Sequence, residues 1–240
     1  EEEAVNRLRY NFLANVAHEF RTPLAGISAT TELMVDESAT LTSDELLQLV
    51  ETIRLSTLHL QTLVDNLLES TTIEAGCFQV HCYPTNFQDV VQRAESLMSP
   101  LFNRRTQVLN ISISPELPTV WADPNRLTQV LVNLLSNASK FSPMGGKIEL
   151  VVVQDAEWLS VAVLDSGPGL PGGRFADVFK RYVSTNQLHD TQYGIGLGLS
   201  VVKTIVEAHG GQAGAENRLE GGANVWFTIP MNPVEEIENT

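Results

Sequence analysis

Four groups of residues in the chain could do chemistry. The first centres on an imidazole, in Asn15-Val16-Ala17-His18-Glu19-Phe20-Arg21-Thr22-Pro23-Leu24. With Val16 at 0° on a helical wheel, Phe12, Phe20, Leu24 and Ile27 fall within about 80°, His18 at roughly 200° and Thr22 at roughly 240°. His18 therefore leaves the apolar stripe and shares an outer face with Thr22. Pro23 removes the hydrogen bond to the Glu19 carbonyl and is expected to bend the helix. The metal reading is weaker, because Thr22 stands where a zinc-protease helix needs its second histidine. On residue types alone, an ordinary surface histidine remains open beside a reactive one.

The second group lies on a helix opened by Asp123-Pro124, a capping carboxylate followed by a first-turn proline. With Leu134 at 0°, Leu127, Val130, Leu131 and Ala138 form its buried stripe. Asn133, Asn137 and Lys140 gather on another face with Arg126 and Gln129. An amide oxygen is a hard, neutral ligand for Mg²⁺, and a lysine offers a point charge to phosphate. A plain polar surface is the other reading.

Two glycine-rich loops complete the set. Asp165-Ser166-Gly167-Pro168-Gly169 follows a strand, and its carboxylate could accept a hydrogen bond from an exocyclic amine such as adenine's; a capped tight turn is the alternative. Gly194-Ile195-Gly196-Leu197-Gly198 runs into an apolar helix. Its spacing is neither the dinucleotide fingerprint nor a P-loop. Backbone N–H groups at a helix N-terminus nevertheless attract anions.

Two kinds of element must position these groups. Residues 4–75 show helical periodicity in two stretches, separated by the polar run 36–42. Thr42-Ser43-Asp44-Glu45 fits a capping box, and Gly76 follows the last turn. Two helices cannot cover both of their apolar stripes, so a pair of hairpins should associate as a four-helix bundle, which predicts a homodimer. Beyond Gly76 the pattern becomes α/β. Strands are expected at 78–81, 108–113, 148–154, 159–164 and 223–229, and helices at 87–101, 124–141 and 197–209, as one sheet with helices on one face. Residues 235–240 read as a frayed acidic tail.

Composition limits the partners. Fifteen Lys and Arg against 29 Asp and Glu give a net charge of −14, which argues against binding nucleic acid or an anionic membrane. At 43% hydrophobic residues the chain can bury a core. No apolar run reaches the roughly 18 residues of a membrane span, and no signal peptide opens the chain. Its start in a helical pattern suggests a piece of a longer protein. Cys77 and Cys82 fit a reducing compartment better than a disulfide framework. Cys77 and His81 would share one side of a strand and Cys82 the other, too few ligands for zinc. Trp121, Trp158 and Trp226 read as core or sheet-edge packing. His189 reads as a surface residue, and His59 and His209 have no partner motif.

Taken in order, these segments resemble the sensor histidine kinases of two-component systems. His18 to Leu24 resembles the H box, Asn133-x-x-x-Asn137-x-x-Lys140-Phe141 the N box, and Asp165-x-Gly167-x-Gly169 the G1 box. The loop through Gly194, Gly196, Leu197 and Gly198 resembles the G2 box, and Gly221-Gly222 the trailing glycine motif. Phe179 and Tyr182 have the F-box spacing, with Ser184 where a basic residue is often found. The resemblance implies that His18 accepts phosphate from ATP, that Glu19 takes the imidazole proton or fixes its tautomer, and that Thr22 helps position a water that dephosphorylates the regulator. It implies Asn137 as the main Mg²⁺ ligand assisted by Asn133, Lys140 on the phosphates, Asp165 as the adenine reader, and G2 backbone on the phosphates. Arg181 or Lys180 is left to meet the γ-phosphate, and 184–192 would be a lid.

The implied organisation is a dimerisation and phosphotransfer hairpin at 1–75, a gyrase-like ATP-binding α/β sandwich at 76–234 with one mixed sheet under a helix layer, and the tail 235–240. The implied partners are a second copy, a response regulator receiver domain and an upstream sensor domain, with this portion in the cytoplasm even where the parent protein is membrane-anchored. A gyrase-like ATPase clamp without phosphohistidine, and a degenerate scaffold, are the competing readings.

Overall fold

The computed structural model describes residues 2–115, 117–170, 175–180 and 196–232, with side chains described from Ala14 on. Helices α1 (Glu2–Asp36) and α2 (Ser43–Glu74) form the hairpin. The capping box that opens α2 is complete: Glu45 N–H donates to Thr42 Oγ1 at 3.3 Å, and Thr42 N–H donates back to the Glu45 carboxylate at 2.9 Å. Gly76 closes the helix at φ +68°, a conformation that glycine adopts without strain. α1 continues through Pro23. The two helices approach closely where a Cβ on Gly26 would lie 3.4 Å from Ser56 Oγ.

The α/β unit contains β1 (Tyr83–Thr85), α3 (Phe87–Arg104), β2 (Val108–Ile113), β3 (Val120–Ala122), α4 (Pro124–Phe141), β4 (Lys147–Asp155), β5 (Trp158–Leu164), α5 (Gly198–Ala208), β6 (Gln212–Asn217) and β7 (Ala223–Pro230), with a 3-10 turn at Phe175–Phe179. The main sheet has the order β2-β4-β5-β7-β6; β2 lies parallel to β4 and the other pairs are antiparallel. Register places Val152 opposite Val161 and Val161 opposite Phe227, all fully buried. These alternating residues form one core with the inner stripes of α3, α4 and α5. Their outer-face neighbours Val153 and Trp158 stay exposed. The fold is therefore a helical hairpin followed by a mixed-sheet α/β layer.

The structure departs from the sequence expectation at three places. Residues 78–81 are not a strand. The short strand is β1, which pairs antiparallel with β3, while the Asp123 carboxylate draws in the chain ahead of it by accepting the His81 N–H at 3.0 Å. Strands β3 and β6 carried too little apolar alternation to be read. In β6 the small residue is itself the packing device: a Cβ on Gly214 would fall 2.3 Å from the Trp226 ring. Trp121 and Trp158 lie at the surface of the sheets rather than in the core.

Candidate functional site

Helix α4 is fixed at both ends. At its start, Asp123 Oδ1 accepts the N–H groups of Asn125 and Arg126 at 3.0 and 3.1 Å. At its end, Gln107 Nε2 donates to the carbonyls of Ser139 and Pro143 at 2.9 and 3.0 Å, and Ser139 Oγ donates back to Gln107 Oε1 at 2.6 Å. Leu127, Val130, Leu131, Leu134 and Ala138 are buried, as their periodicity requires. The helix can rotate little, so the direction of its polar face is set.

That polar face is not all alike. Asn137 is half-buried and has no hydrogen-bond partner among the described residues. Asn133 is only 4% exposed. Its carboxamide is paired both ways with Asn66 of α2: Asn66 Nδ2 donates to Asn133 Oδ1 at 3.1 Å, and Asn133 Nδ2 donates to Asn66 Oδ1 at 3.2 Å. One helical turn farther along α2, Glu69 forms an ion pair with Arg126, whose guanidinium also lies 5.3 Å from the centroid of the Phe78 ring. Sequence reasoning missed Asn66 and Glu69, since nothing within α2 distinguishes them from other polar helix residues.

The Asp165 loop is built around one carboxylate oxygen. Oδ1 accepts the N–H groups of Gly167 and Ala223 at 2.8 and 3.0 Å, and no donor among the described residues meets Oδ2. Gly222 has φ +89°, and a Cβ there would stand 2.0 Å from the Asp165 carbonyl oxygen, so the backbone itself fills that space. Asn217 clamps the far side of the loop, accepting the Leu170 N–H at 2.6 Å and donating to the Leu170 carbonyl at 3.0 Å. Arg218 Nη1 donates to the Asp165 carbonyl at 3.1 Å, and Ser142 Oγ accepts the Ser166 N–H at 3.2 Å. The polar pair just ahead of Gly221-Gly222 was the available sequence signal for Asn217 and Arg218.

Helix α5 begins at Gly198 without a side-chain cap and without an acid in its first turn. Its leading N–H groups are unsatisfied by side chains, and such a terminus favours an anion. A Cβ on Gly198 would lie 3.5 Å from Asn133 Oδ1, so this terminus and the Asn face adjoin. Gly196 has φ +72° and leads into the buried Leu197. Gly194, Arg181, Tyr182 and the segment 184–192 lie outside the described residues, as do His189 and the tail. Phe179 is buried in the core, and Lys180 pairs with Asp177 at 2.6 Å.

On the hairpin, His18 and Thr22 share an exposed face, and Thr22 Oγ1 donates to the His18 carbonyl at 3.3 Å. Glu19 is 8% exposed, with His59 Nε2 at 3.9 Å from its carboxylate. Burial pushes the Glu19 carboxyl up, against the charges of Lys140 and His18. Burial lowers the Lys140 ammonium, against Glu19. Burial also lowers His59, and Lys140 adds to that shift. Glu19 thus connects the face bearing His18 with the polar face of α4.

Elsewhere, His209 is a buried connector. Its Nδ1 lies 2.7 Å from the Ile205 carbonyl, and its Nε2 accepts the Asp123 N–H at 3.1 Å. Cys77 and Cys82 are free thiols. No helix among the described residues is long and apolar enough to cross a membrane.

These donors fit a magnesium nucleotide. Uncapped N–H groups at α5 suit phosphate, the unpartnered amide of Asn137 suits a hard cation, and the open Oδ2 of Asp165 suits an exocyclic amine. Comparison with known proteins supports the nucleotide. Residues 122–233 match the family model of histidine kinase-, DNA gyrase B- and HSP90-like ATPases, and residues 8–76 match that of the His kinase A (phospho-acceptor) domain. The chain is 32% identical to the sensor protein KdpD of Clostridium acetobutylicum over 93% of its own length and 25% of that protein. It is 30% identical to the adaptive-response sensory kinase SasA of Microcystis aeruginosa over 96% of its length and 62% of that protein. Among solved structures it resembles full-length ShkA in complex with AMPPNP, with a TM-score of 0.64 and 30% identity over 92% of this chain and 46% of that one. It also resembles the histidine kinase ThkA in complex with the response regulator TrrA, with a TM-score of 0.61 and 27% identity over 97% of this chain and 66% of that one.

Proposed function

The chain belongs to the sensor histidine kinase family of two-component systems, and on that premise we propose that it phosphorylates its own His18 with ATP and passes the phosphoryl group to an aspartate of a response regulator receiver domain. The chain spans about a quarter of the length of the KdpD proteins that it matches. An upstream sensor domain belongs to this proposal, as does a cytoplasmic setting. So does the division into a phosphotransfer hairpin at 1–75, a catalytic unit at 76–234 and a tail at 235–240.

The observation that carries the reading is the environment of Glu19. A carboxyl only 8% exposed, one residue from the exposed His18 and raised by burial, is a stronger base than an ordinary glutamate carboxylate. An imidazole nitrogen of neutral His18 attacks the γ-phosphorus in line, the bond to the β-γ bridging oxygen breaks, ADP leaves, and Glu19 takes the imidazole proton. Positioning dominates catalysis in such transfers. Asp165 Oδ2 orients the adenine amine, the N–H groups at Gly196 to Gly198 face the phosphates, and Lys140 adds positive charge. Asn137, assisted by Asn133, would hold Mg²⁺, which when bound neutralises phosphate charge. Arg181 is the proposed contact to the γ-phosphate. Thr22 is the proposed water-positioning residue for the reverse, regulator-dephosphorylating reaction.

A second copy is part of the proposal. Leu24, Leu47, Val50 and Leu68 are between 47 and 66% exposed on the hairpin, more apolar surface than a lone helical pair normally leaves to water.

The test is incubation with γ-labelled ATP and Mg²⁺. Acid-labile label is expected on the wild-type protein and none on His18→Gln, which should still bind nucleotide. Label persisting on His18→Gln would overturn the assignment. Steady ATP hydrolysis without phosphoprotein would favour an ATPase clamp.

A further inference from the structure

The loop that carries Asp165 is held at both ends from the junction of β6 and β7. Residues 218–222 join those strands, with the Arg218 N–H donating to the Gly222 carbonyl at 3.0 Å. Two consecutive side chains reach back from there. Asn217, the last residue of β6, meets both backbone groups of Leu170 at the far end of the loop. Arg218 Nη1 donates to the Asp165 carbonyl at the near end, at 3.1 Å. The other polar atom of that same peptide group is held from α4, because the Ser166 N–H donates to Ser142 Oγ at 3.2 Å. Both sides of the 165–166 peptide are therefore tied to side chains. Asp165 Oδ1 is tied as well, by Gly167 and Ala223, which leaves Oδ2 as the atom without a donor among the described residues.

We propose that Arg218 is a positioning residue for base selection: by holding the Asp165 carbonyl it fixes the peptide plane from which Oδ2 is aimed at the 6-amino group of a purine. The inference rests on the reading of Asp165 given above. It deepens that reading by assigning discrimination among purine nucleotides to a side chain that touches no part of the substrate, with Glu149 as its steering group.

The sheet itself stops short of this carbonyl. The β5–β7 pairing ends with Leu164 opposite Asn224, and the Asp165 N–H still donates to the Ala223 carbonyl at 2.9 Å. The Asp165 carbonyl lies beyond that ladder, and a covered carbonyl needs a donor from somewhere. A guanidinium is planar and offers several N–H groups in fixed directions, so it can serve a carbonyl and a carboxylate at once. Arg218 does both, with Nη2 directed to Glu149 of β4 at 3.5 Å. Its positive charge makes the bond to the carbonyl stronger than a neutral donor would. Aim matters because a site that accepts a hydrogen bond from an amine rejects the analogue lacking it by leaving its own acceptor unpaired. A carboxylate free to swing would find water instead, and the rejection would fade.

Titrating the intact chain, with Mg²⁺, against ATP and against purine riboside triphosphate, which lacks the 6-amino group, tests this. Wild type should prefer ATP by about tenfold or more. Arg218→Met keeps an apolar stem and removes both polar contacts, and its preference should fall to within about threefold, through weaker ATP binding. Arg218→Lys should recover part of the preference, since an ammonium can still meet the carbonyl. In labelling of His18, Arg218→Met should raise the apparent KM for ATP about fivefold and change the maximal rate less than about twofold, because the contact is remote from the transferred phosphoryl group. Circular dichroism checks that each variant is folded. Glu149→Ala removes a partly exposed carboxylate, should lower the preference about twofold, and decides the matter if Arg218→Met does not fold. An undiminished preference in the deciding variant overturns the positioning role and leaves the kinase reading intact. Equal weakening of both nucleotides overturns it too, because the arginine would then maintain the pocket as a whole. A wild type that binds the two nucleotides alike removes the reading of Asp165, and this inference with it. A wild type that binds neither removes the function proposed above.

Discussion

The hairpin and the α/β unit solve the same burial problem to different degrees. In the α/β unit, Leu127, Leu131, Leu150, Val161 and Phe227 all reach 0% exposure within one chain. In the hairpin, the best-buried apolar side chains among the described residues are Leu55 and Leu63, at 8 and 7%, while Leu47 stands 66% exposed. A sheet covered by three helices encloses a core. Two helices have two apolar stripes and only one interface between them. The difference separates two kinds of stability: the α/β unit owns its core, and the hairpin, in the dimer proposed above, completes its core with a second copy. It also explains where chemistry can sit. The groups proposed to face the nucleotide lie on a surface backed by that closed core, and His18 lies on an exposed helix face.

The largest test of this contrast is to remove comparable apolar side chains from both regions. Phe227→Ala should cost about 3–5 kcal/mol in urea unfolding, the usual penalty for a cavity in a closed core. Leu47→Ala, measured on dilute monomer, should cost less than about 1 kcal/mol because most of its surface is already in water. Equal costs would mean that the hairpin is closed within a single chain.

Association sharpens the contrast from the other side. Leu47→Glu combined with Val50→Glu should weaken self-association at least tenfold in sedimentation experiments, since each buried aliphatic side chain contributes about 1.5–3 kcal/mol. The urea midpoint of the α/β unit should stay put. An unchanged dimer would show that copies meet through another surface.

How far the sequence could be read follows the same division. The limits of α4 matched residue for residue because Asp123, Pro124 and an unbroken 3.6-residue stripe all act locally. The sheet strands β4, β5 and β7 were legible for the same reason. Residues 78–81 misled because their β character is overruled by a distant carboxylate at Asp123, and β6 was invisible because its packing depends on Gly214 lying beneath Trp226. At the site, the groups that carry their own spacing, such as Asn133, Asn137 and Asp165, were legible. Their supports Asn66, Asn217, Arg218 and His209 were not, because each acts through a partner tens of residues away in the chain.

His209 tests such a support. Its ring accepts the Asp123 N–H and so fixes the cap of α4 from the end of α5. Replacing it with Ala at neutral pH leaves that N–H without a protein acceptor and should cost about 1–3 kcal/mol. Burial lowers the folded-state pKa below the ordinary 6.5, against the Ile205 carbonyl and the Asp123 charge. The unfolded chain therefore binds the proton more readily, and the stability contributed by His209 is present above pH 6.5 and lost as pH falls below it. The gap between wild type and His209→Ala should narrow as pH is lowered through that range. A gap independent of pH would mean that the ring acts by packing alone.

The smallest effect belongs to the hairpin. Thr42 caps α2 at the junction between the helices, where no tertiary core backs it. Thr42→Ala should destabilise the helix by about 1 kcal/mol, the ordinary loss for a removed cap. In the α/β unit such a loss would be diluted in one cooperative transition. In the hairpin it should appear as faster amide exchange confined to residues 43–50, with exchange in α4 unchanged. The Thr42 N–H and hydroxyl also hold the Glu45 carboxyl below its usual range. The contribution of the capping box is then present above the ordinary glutamate value and lost as pH falls through the lowered one. If α4 exchanged faster as well, hairpin and α/β unit would be one cooperative body, and the contrast between them would not hold.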